Sequence, residues 1–110
     1  MNVERRERIR ALNDQLRRHH VGGRILITEG VSALGEVQLK SALLAIQRFD
    51  RFDEDNDPYG EHDFGAVTIG RHRIFWKIDY YDPMLKSGAV DPADASGTVR
   101  VLTLMLAEEY

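Results

Sequence analysis

The residues best suited to chemistry lie in one segment, from an acidic loop that begins at Asp53 to a strand that ends at Asp82. The loop carries several carboxylates, one histidine and Tyr59, and an aromatic run, Phe-Trp-Lys-Ile-Asp-Tyr-Tyr, follows at 75–81. Carboxylates and imidazole are potential metal ligands and acid-base groups, and a loop on a rigid scaffold can present them to a substrate or a partner. The segment contains no complete catalytic or metal motif. It therefore locates a candidate site without assigning a reaction to it.

A catalytic interpretation depends on a predicted hairpin. Gly70 and Arg71 predict its turn, because glycine is free to adopt the positive φ angle that the first turn position requires. In that register His62 faces Asp79, and Lys77 lies on the same side of the sheet. These three residues would give a histidine-assisted hydrolase a base oriented by a carboxylate and a cation for an anionic substrate. The pattern supplies no nucleophile, and alternating charges also stabilise an exposed sheet face without any catalytic role.

A metal-dependent hydrolase is the related alternative. Asp53, Asp55 and Asp57 have the spacing that begins an EF-hand loop, but Pro58 and Phe64 stand where that loop needs glycine and glutamate. Carboxylates with one imidazole suit magnesium or manganese, and the candidates for such a site are Glu61, His62, Asp63, Asp79 and Asp82. The run Asp-Asn-Asp-Pro is also typical of a turn in which short side chains bind backbone amides. We favour the turn and expect no cofactor.

The acidic loop is also a candidate surface for binding a protein partner. Exposed carboxylates beside an aromatic side chain can recognise a basic surface without any reaction. The candidate partner-binding residues are Asp53, Glu54, Asp55, Asp57 and Tyr59.

Positive charge is concentrated at the start of the chain. Residues 1–24 carry seven arginines against three acidic residues, a net charge of +4, whereas residues 25–110 carry 8 basic against 15 acidic residues, a net charge of −7. A basic first helix could bind nucleic acid through Arg5, Arg6, Arg10 and Arg17, as in a nucleic-acid accessory protein. The overall charge of −3 favours the alternative, an arginine-rich face exposed to water.

Composition predicts one domain spanning residues 1–110, with 43% apolar and 30% charged residues. The absence of cysteine excludes disulfides, thiolate metal sites and thiol nucleophiles. The charged start leads into no apolar signal segment, and no apolar run approaches the length of a membrane span. We therefore expect a cytoplasmic protein with no membrane association.

Periodicity predicts an α+β fold, with two helices packed on one face of a mostly antiparallel sheet of about four strands. The helices span 3–19, capped by Asn2, and 36–49; Gly22 and Gly23 would stop the first. The strands span 24–28, 64–69, 73–80 and 98–107. The hairpin register places five apolar side chains on the core face: Val67, Ile69, Ile74, Trp76 and Ile78.

Three long runs of the sequence are distinctive: Asp-Asn-Asp-Pro-Tyr-Gly-Glu-His-Asp-Phe-Gly at 55–65, Phe-Trp-Lys-Ile-Asp-Tyr-Tyr-Asp at 75–82 and Arg-Val-Leu-Thr-Leu-Met-Leu-Ala-Glu-Glu-Tyr at 100–110. With these runs the chain resembles an uncharacterised bacterial family, catalogued as domain of unknown function 3768. The resemblance implies a small bacterial protein, often encoded among accessory genes of mobile DNA, with no activity to carry over. We therefore expect a non-enzymatic interaction or accessory protein, such as an anti-defence or maintenance factor.

Overall fold

Three α-helices, four β-strands and two 3₁₀ helices form the fold in the computed structural model, which describes residues 2–110. The α-helices are α1 (Val3–His19), α2 (Glu29–Ser32) and α3 (Glu36–Gln47). The strands are β1 (Arg24–Ile27), β2 (Phe64–Ile69), β3 (His72–Tyr81) and β4 (Val99–Leu106). The 3₁₀ helices are η1 (Ala95–Gly97) and η2 (Ala107–Glu109). Within the described residues, no helix has the length and apolar character needed to span a membrane.

Helix α1 begins where the sequence predicts. The side chain of Asn2 accepts a hydrogen bond from the N–H of Arg5, which supplies an acceptor that the first turn lacks. The helix also ends at His19, as predicted, and its cap is His20, which takes the left-handed conformation (φ 55°) and donates its N–H to the carbonyl of Leu16.

The four strands form one mixed sheet with the order β1-β4-β3-β2. The β2–β3 and β3–β4 pairs are antiparallel, but β1 runs parallel to β4, so the predicted antiparallel character holds for only part of the sheet. No short turn connects β1 to its partner, so hairpin geometry does not force these two strands into opposite directions. The α+β class is confirmed. The prediction that two helices cover one face stays a prediction.

The predicted hairpin register is confirmed along the whole of β2, from Phe64 to Ile69. Gly65 pairs with Trp76 and Val67 with Ile74, and Gly70 has the positive φ (60°) that the turn requires. A side chain at position 65 would lie 2.6 Å from the indole nitrogen of Trp76, so glycine leaves the space that the indole fills. This pairing fixes which side chains of β2 and β3 point into the core.

Trp76 lies at the centre of the hydrophobic core and is fully buried. Side chains from all three helices join it there, together with residues of β3 and β4. The buried members are Leu16, Val31, Ala42, Ile46, Ile74, Ile78, Leu102 and Leu104. Val67 and Ile69 pack against this cluster from β2, which confirms the predicted core face of the hairpin.

Candidate functional site

The acidic loop between α3 and β2 is held in shape by its own side chains. Oδ1 of Asp53 accepts hydrogen bonds from the N–H groups of Asp55 and Asn56, at 2.9 and 3.1 Å. The side-chain amide of Asn56 donates to the carbonyl of Arg51 at 2.9 Å. These are the short side chain-to-backbone bonds that the Asp-Asn-Asp-Pro pattern predicts. The loop is therefore an ordered turn.

Asp57 points into the loop, which corrects its assignment as a partner-binding residue. Its Oδ1 accepts hydrogen bonds from the N–H groups of Glu61 and His62, at 2.9 and 3.0 Å. Only 6% of its side chain is exposed. A carboxylate used in this way supports the backbone and is not available to a partner.

The other predicted partner-binding residues lie at the surface. Tyr59 is 66% exposed, and Asp53, Glu54 and Asp55 are exposed as well. The carboxylate of Asp53 is already bonded to two loop amides. Glu54, Asp55 and Tyr59 therefore form the outward group of the loop, which we call the acidic tip.

His62 lies behind the acidic tip and is enclosed by three side chains. Its Nδ1 is 2.9 Å from Oδ1 of Asp14 on α1, and its Nε2 is 3.8 Å from Oδ2 of Asp57. The imidazole is stacked on Phe52 with ring centroids 3.7 Å apart and an interplanar angle of 3°. The ring thus joins the loop to the first helix.

The predicted facing of His62 and Asp79 is wrong. The hairpin register continues to Phe64 opposite Lys77, but the chain then turns away from β3 because His62 adopts a left-handed conformation with φ 56°. Asp79 is paired instead with Lys77 at 2.8 Å, and this hydrogen bond raises the pKa of Lys77. The predicted three-residue catalytic cluster is therefore divided into a histidine site and a separate ion pair.

The histidine site contains one element of acid-base chemistry, a carboxylate that can orient an imidazole. Asp14 occupies that position at Nδ1. On the Nε2 side, where a general base would face a nucleophile or a water, the charged neighbour is the carboxylate of Asp57. Among residues 2–110, the polar side chains that contact this ring are the carboxylates of Asp14 and Asp57, and neither supplies a hydroxyl nucleophile.

The five predicted metal ligands are not gathered into one site. The part of the chain that the structure describes holds no group of three or more His, Asp or Glu side chains placed to bind a metal ion. Asp82 accepts hydrogen bonds from the N–H of Lys86 and the hydroxyl of Ser87, which lower its pKa. Asp63 differs, since burial and the nearby carboxylates of Glu61 and Asp57 raise its pKa to about 6.

Arg17, which the sequence predicts to bind nucleic acid, is fully buried. Its Nη1 donates to the carbonyls of Ile46 and Phe49, both at 2.9 Å, and its Nη2 donates to Asp14 at 3.0 Å. The guanidinium carbon lies 5.3 Å from the centre of the Phe52 ring. Burial lowers the pKa of Arg17. A side chain in this position cannot reach a phosphate, so its nucleic-acid assignment is wrong.

Other arginines of α1 bind loops of the same chain. Arg5 forms an ion pair with Asp91 at 2.8 Å, and Arg10 donates to the carbonyl of Gly60 at 2.7 Å. The Nε of Arg6 is buried. Part of the face that we expected to be exposed to water therefore holds two loops against α1, which also reduces the positive charge available to nucleic acid.

A buried polar network beside the histidine site was missed by sequence analysis. Arg100 donates to Asn13 at 2.9 Å, Asn13 donates to the Tyr80 hydroxyl at 2.8 Å, and Tyr80 donates to Glu61 at 2.9 Å. Burial is the largest cause of a raised pKa at Tyr80 and of a lowered pKa at Arg100. Strand alternation was the available signal, because Arg100 shares the face of Leu102.

Comparison with protein families identifies the chain. The sequence profile of the family described as Protein of unknown function (DUF3768) matches residues 27–109. The chain belongs to this family. The matched range contains the acidic loop and strands β2, β3 and β4, whereas α1 precedes it. Comparison with curated proteins and with solved structures finds no match.

Proposed function

We propose that the protein is a small non-enzymatic interaction protein whose acidic tip binds a basic surface of a protein partner. The observation that carries the proposal is that some side chains of the loop hold its backbone while others remain exposed. Asp53 and Asp57 bind loop amides, and Glu54, Asp55 and Tyr59 are left facing solvent. The loop is thus ordered before any partner arrives.

An ordered loop favours binding because less conformational entropy is lost on association. Two adjacent carboxylates steer a basic partner toward the tip, and an exposed tyrosine offers a large contact area with few rotatable bonds. Residues 25–110, which include the loop, carry a net charge of −7. The chemistry of the tip therefore fits a partner surface rich in lysine or arginine.

The resemblance to the family of unknown function implies a protein encoded among accessory genes of mobile DNA, and this supports an accessory role. In this proposal the partner is a host or plasmid protein, and binding serves an anti-defence or maintenance process. A partner recovered from cells that encode the protein would identify which of these processes is involved.

Affinity capture with matched variants tests the proposal. A variant carrying Glu54→Gln, Asp55→Asn and Tyr59→Ala is compared with wild type and with a control carrying Glu7→Gln and Glu36→Gln, two exposed carboxylates elsewhere. We expect the tip variant to recover at least about tenfold less partner at low salt, because charge complementarity governs encounter. We expect the control to recover as much as wild type.

Thermal unfolding of the same three proteins provides the fold control. Exposed charges contribute little to stability, so the melting temperatures should agree closely. Equal partner recovery by the tip variant and wild type, or recovery that does not change with salt, would contradict the proposed use of the loop.

A further inference from the structure

Strand β1 forms one edge of the sheet and has β4 as its only strand neighbour in the described residues. The N–H of Thr28, just after the strand, donates to the carbonyl of Leu104 on β4. Backbone groups of successive residues alternate in direction along a strand, so the N–H and C=O groups of Leu26 and Arg24 also point toward β4. The N–H and C=O groups of Ile25 and Ile27 consequently point away from the sheet. This edge offers two donors and two acceptors.

The side chains of β1 on the face away from the core leave room for a neighbour. Leu26 is 56% exposed and Arg24 is exposed, whereas Ile25 and Ile27 are half-buried. A groove of about 330 Å³ adjoins them, with Tyr81, Leu85 and Val101 in its lining. An exposed edge with an apolar side chain at its middle is a template for pairing with another strand.

Charge along this edge is polarised. Arg24 stands at the beginning of β1. At the other end, Oε1 of Glu109 accepts a hydrogen bond from the Thr28 hydroxyl at 2.7 Å, and its Oε2 accepts from the N–H of Gly30 at 3.2 Å. Glu29 is exposed at the same end. An antiparallel copy of the same edge would therefore place its positive end beside this negative end.

We propose that two copies of this chain pair through β1, antiparallel, about a two-fold axis at Leu26. In this register Ile25 of each copy faces Ile27 of the other, and all four outward backbone groups of each strand are hydrogen-bonded. Leu26 faces its own equivalent, and Arg24 faces Thr28 of the second copy, next to Glu109 of that copy. The two four-stranded sheets become one continuous sheet.

The number of hydrogen bonds between the two strands distinguishes this register from the alternative registers. A two-fold axis at Ile25 or at Ile27 pairs only one of the two outward-facing residues of β1 with its equivalent. A shift by one residue would place core-facing side chains opposite solvent-facing ones. The pairing also leaves the acidic tip uncovered, so this dimer is independent of the proposed partner-binding function.

Sedimentation over a range of protein concentrations tests the dimer. We expect wild type to dimerise as concentration rises, and Leu26→Glu to raise the dimer Kd at least about tenfold, because two carboxylates then face each other at the axis. The control is Leu44→Glu, since Leu44 on α3 is 45% exposed and lies outside β1. We expect it to dimerise like wild type.

Oxidative cross-linking tests the register. The chain has no cysteine, so a single introduced cysteine can form only an intermolecular disulfide. Facing residues of a pair without mutual hydrogen bonds have Cα atoms about 4.5 Å apart, within the range of a disulfide. We expect Leu26→Cys to cross-link, and we expect Leu44→Cys to remain uncross-linked under the same conditions.

Three results would overturn the proposal. One is a monomer at every concentration, which would leave β1 open to a strand of some other protein. The second is a dimer whose Kd is unchanged by Leu26→Glu. The third is a Leu44→Cys variant that cross-links as fast as Leu26→Cys.

Discussion

Helix α1 and the acidic loop carry opposite charges, and they use those charges differently. Three arginines of α1 bind other parts of the same chain: Arg17 and Arg10 donate to backbone carbonyls, and Arg5 pairs with Asp91. The loop divides its carboxylates, since Asp57 binds loop amides and Glu54 remains exposed.

This difference follows from what each side chain can reach. An arginine on a helix has a long stem and five donors, so it can leave its own helix and satisfy distant carbonyls. An aspartate in a turn has a short side chain, whose carboxylate accepts hydrogen bonds from the N–H groups of its own loop. Three arginines on this helix thus bind the rest of their own chain, whereas the acidic loop leaves some of its carboxylates exposed at the surface.

The largest expected effect is at the buried arginine. We expect Arg17→Met to lower the free energy of unfolding by about 3 kcal/mol, because two buried carbonyls and Asp14 lose a donor. Arg18→Met is the matched control, since Arg18 is the next residue and is exposed. It should change stability by less than about 0.5 kcal/mol. Urea unfolding measures both, and equal effects would break the contrast between internal and surface arginines.

A smaller effect is expected inside the acidic loop. Asp57→Ala should cost about 2 kcal/mol, because the N–H groups of Glu61 and His62 lose their shared acceptor. Glu54→Ala, in the exposed part of the same loop, should be nearly neutral. Denaturant unfolding compares them directly. A destabilised Glu54→Ala variant would show that the loop has no purely external carboxylate.

The smallest effect depends on pH and concerns Asp63. Its folded pKa of about 6 lies above the ordinary aspartate value of 3.8, so the folded state holds the proton more tightly and stability is lost as pH rises from about 4 to about 6. We expect Asp63→Asn to stabilise the protein at pH 7 by about 1 kcal/mol after allowance for solvent screening, and to have little effect near pH 4.

Thermal melts at the two pH values check this prediction. Asp55→Asn is the control, because Asp55 is exposed at the acidic tip. A stabilisation of Asp63→Asn that is equal at both pH values would indicate a packing effect unrelated to charge.

The hairpin could be predicted in detail because local rules determine it. The turn at Gly70 fixes the register, and the register places Trp76 opposite Gly65 on the core face. The parallel pairing of β1 with β4 could not be predicted in the same way. These strands are distant in sequence, and their direction depends on how the whole chain packs.

The candidate site shows the same limit. The turn chemistry of Asp53 and Asp57 follows from nearby residues, and it agrees with the predicted turn. The environment of His62 does not follow from its neighbours in sequence, because its contacts come from α1 and from Phe52. Extending strand alternation two residues beyond β2 placed His62 on the wrong face. The positive φ of His62 ends the strand alternation, and no glycine at that position signals this in the sequence.

The parallel pairing of β1 with β4 also has a consequence for the order of folding. The β2–β3 hairpin closes through a two-residue turn, whereas Arg24 must find Val101 across most of the chain. Closing a long loop costs more entropy than closing a short one, so we expect the hairpin to nucleate early and β1 to dock last. Until β1 docks, β4 is an open edge with backbone groups unpaired between Val101 and Leu104. We therefore expect a refolding chain to be most exposed to aggregation in the interval before β1 docks.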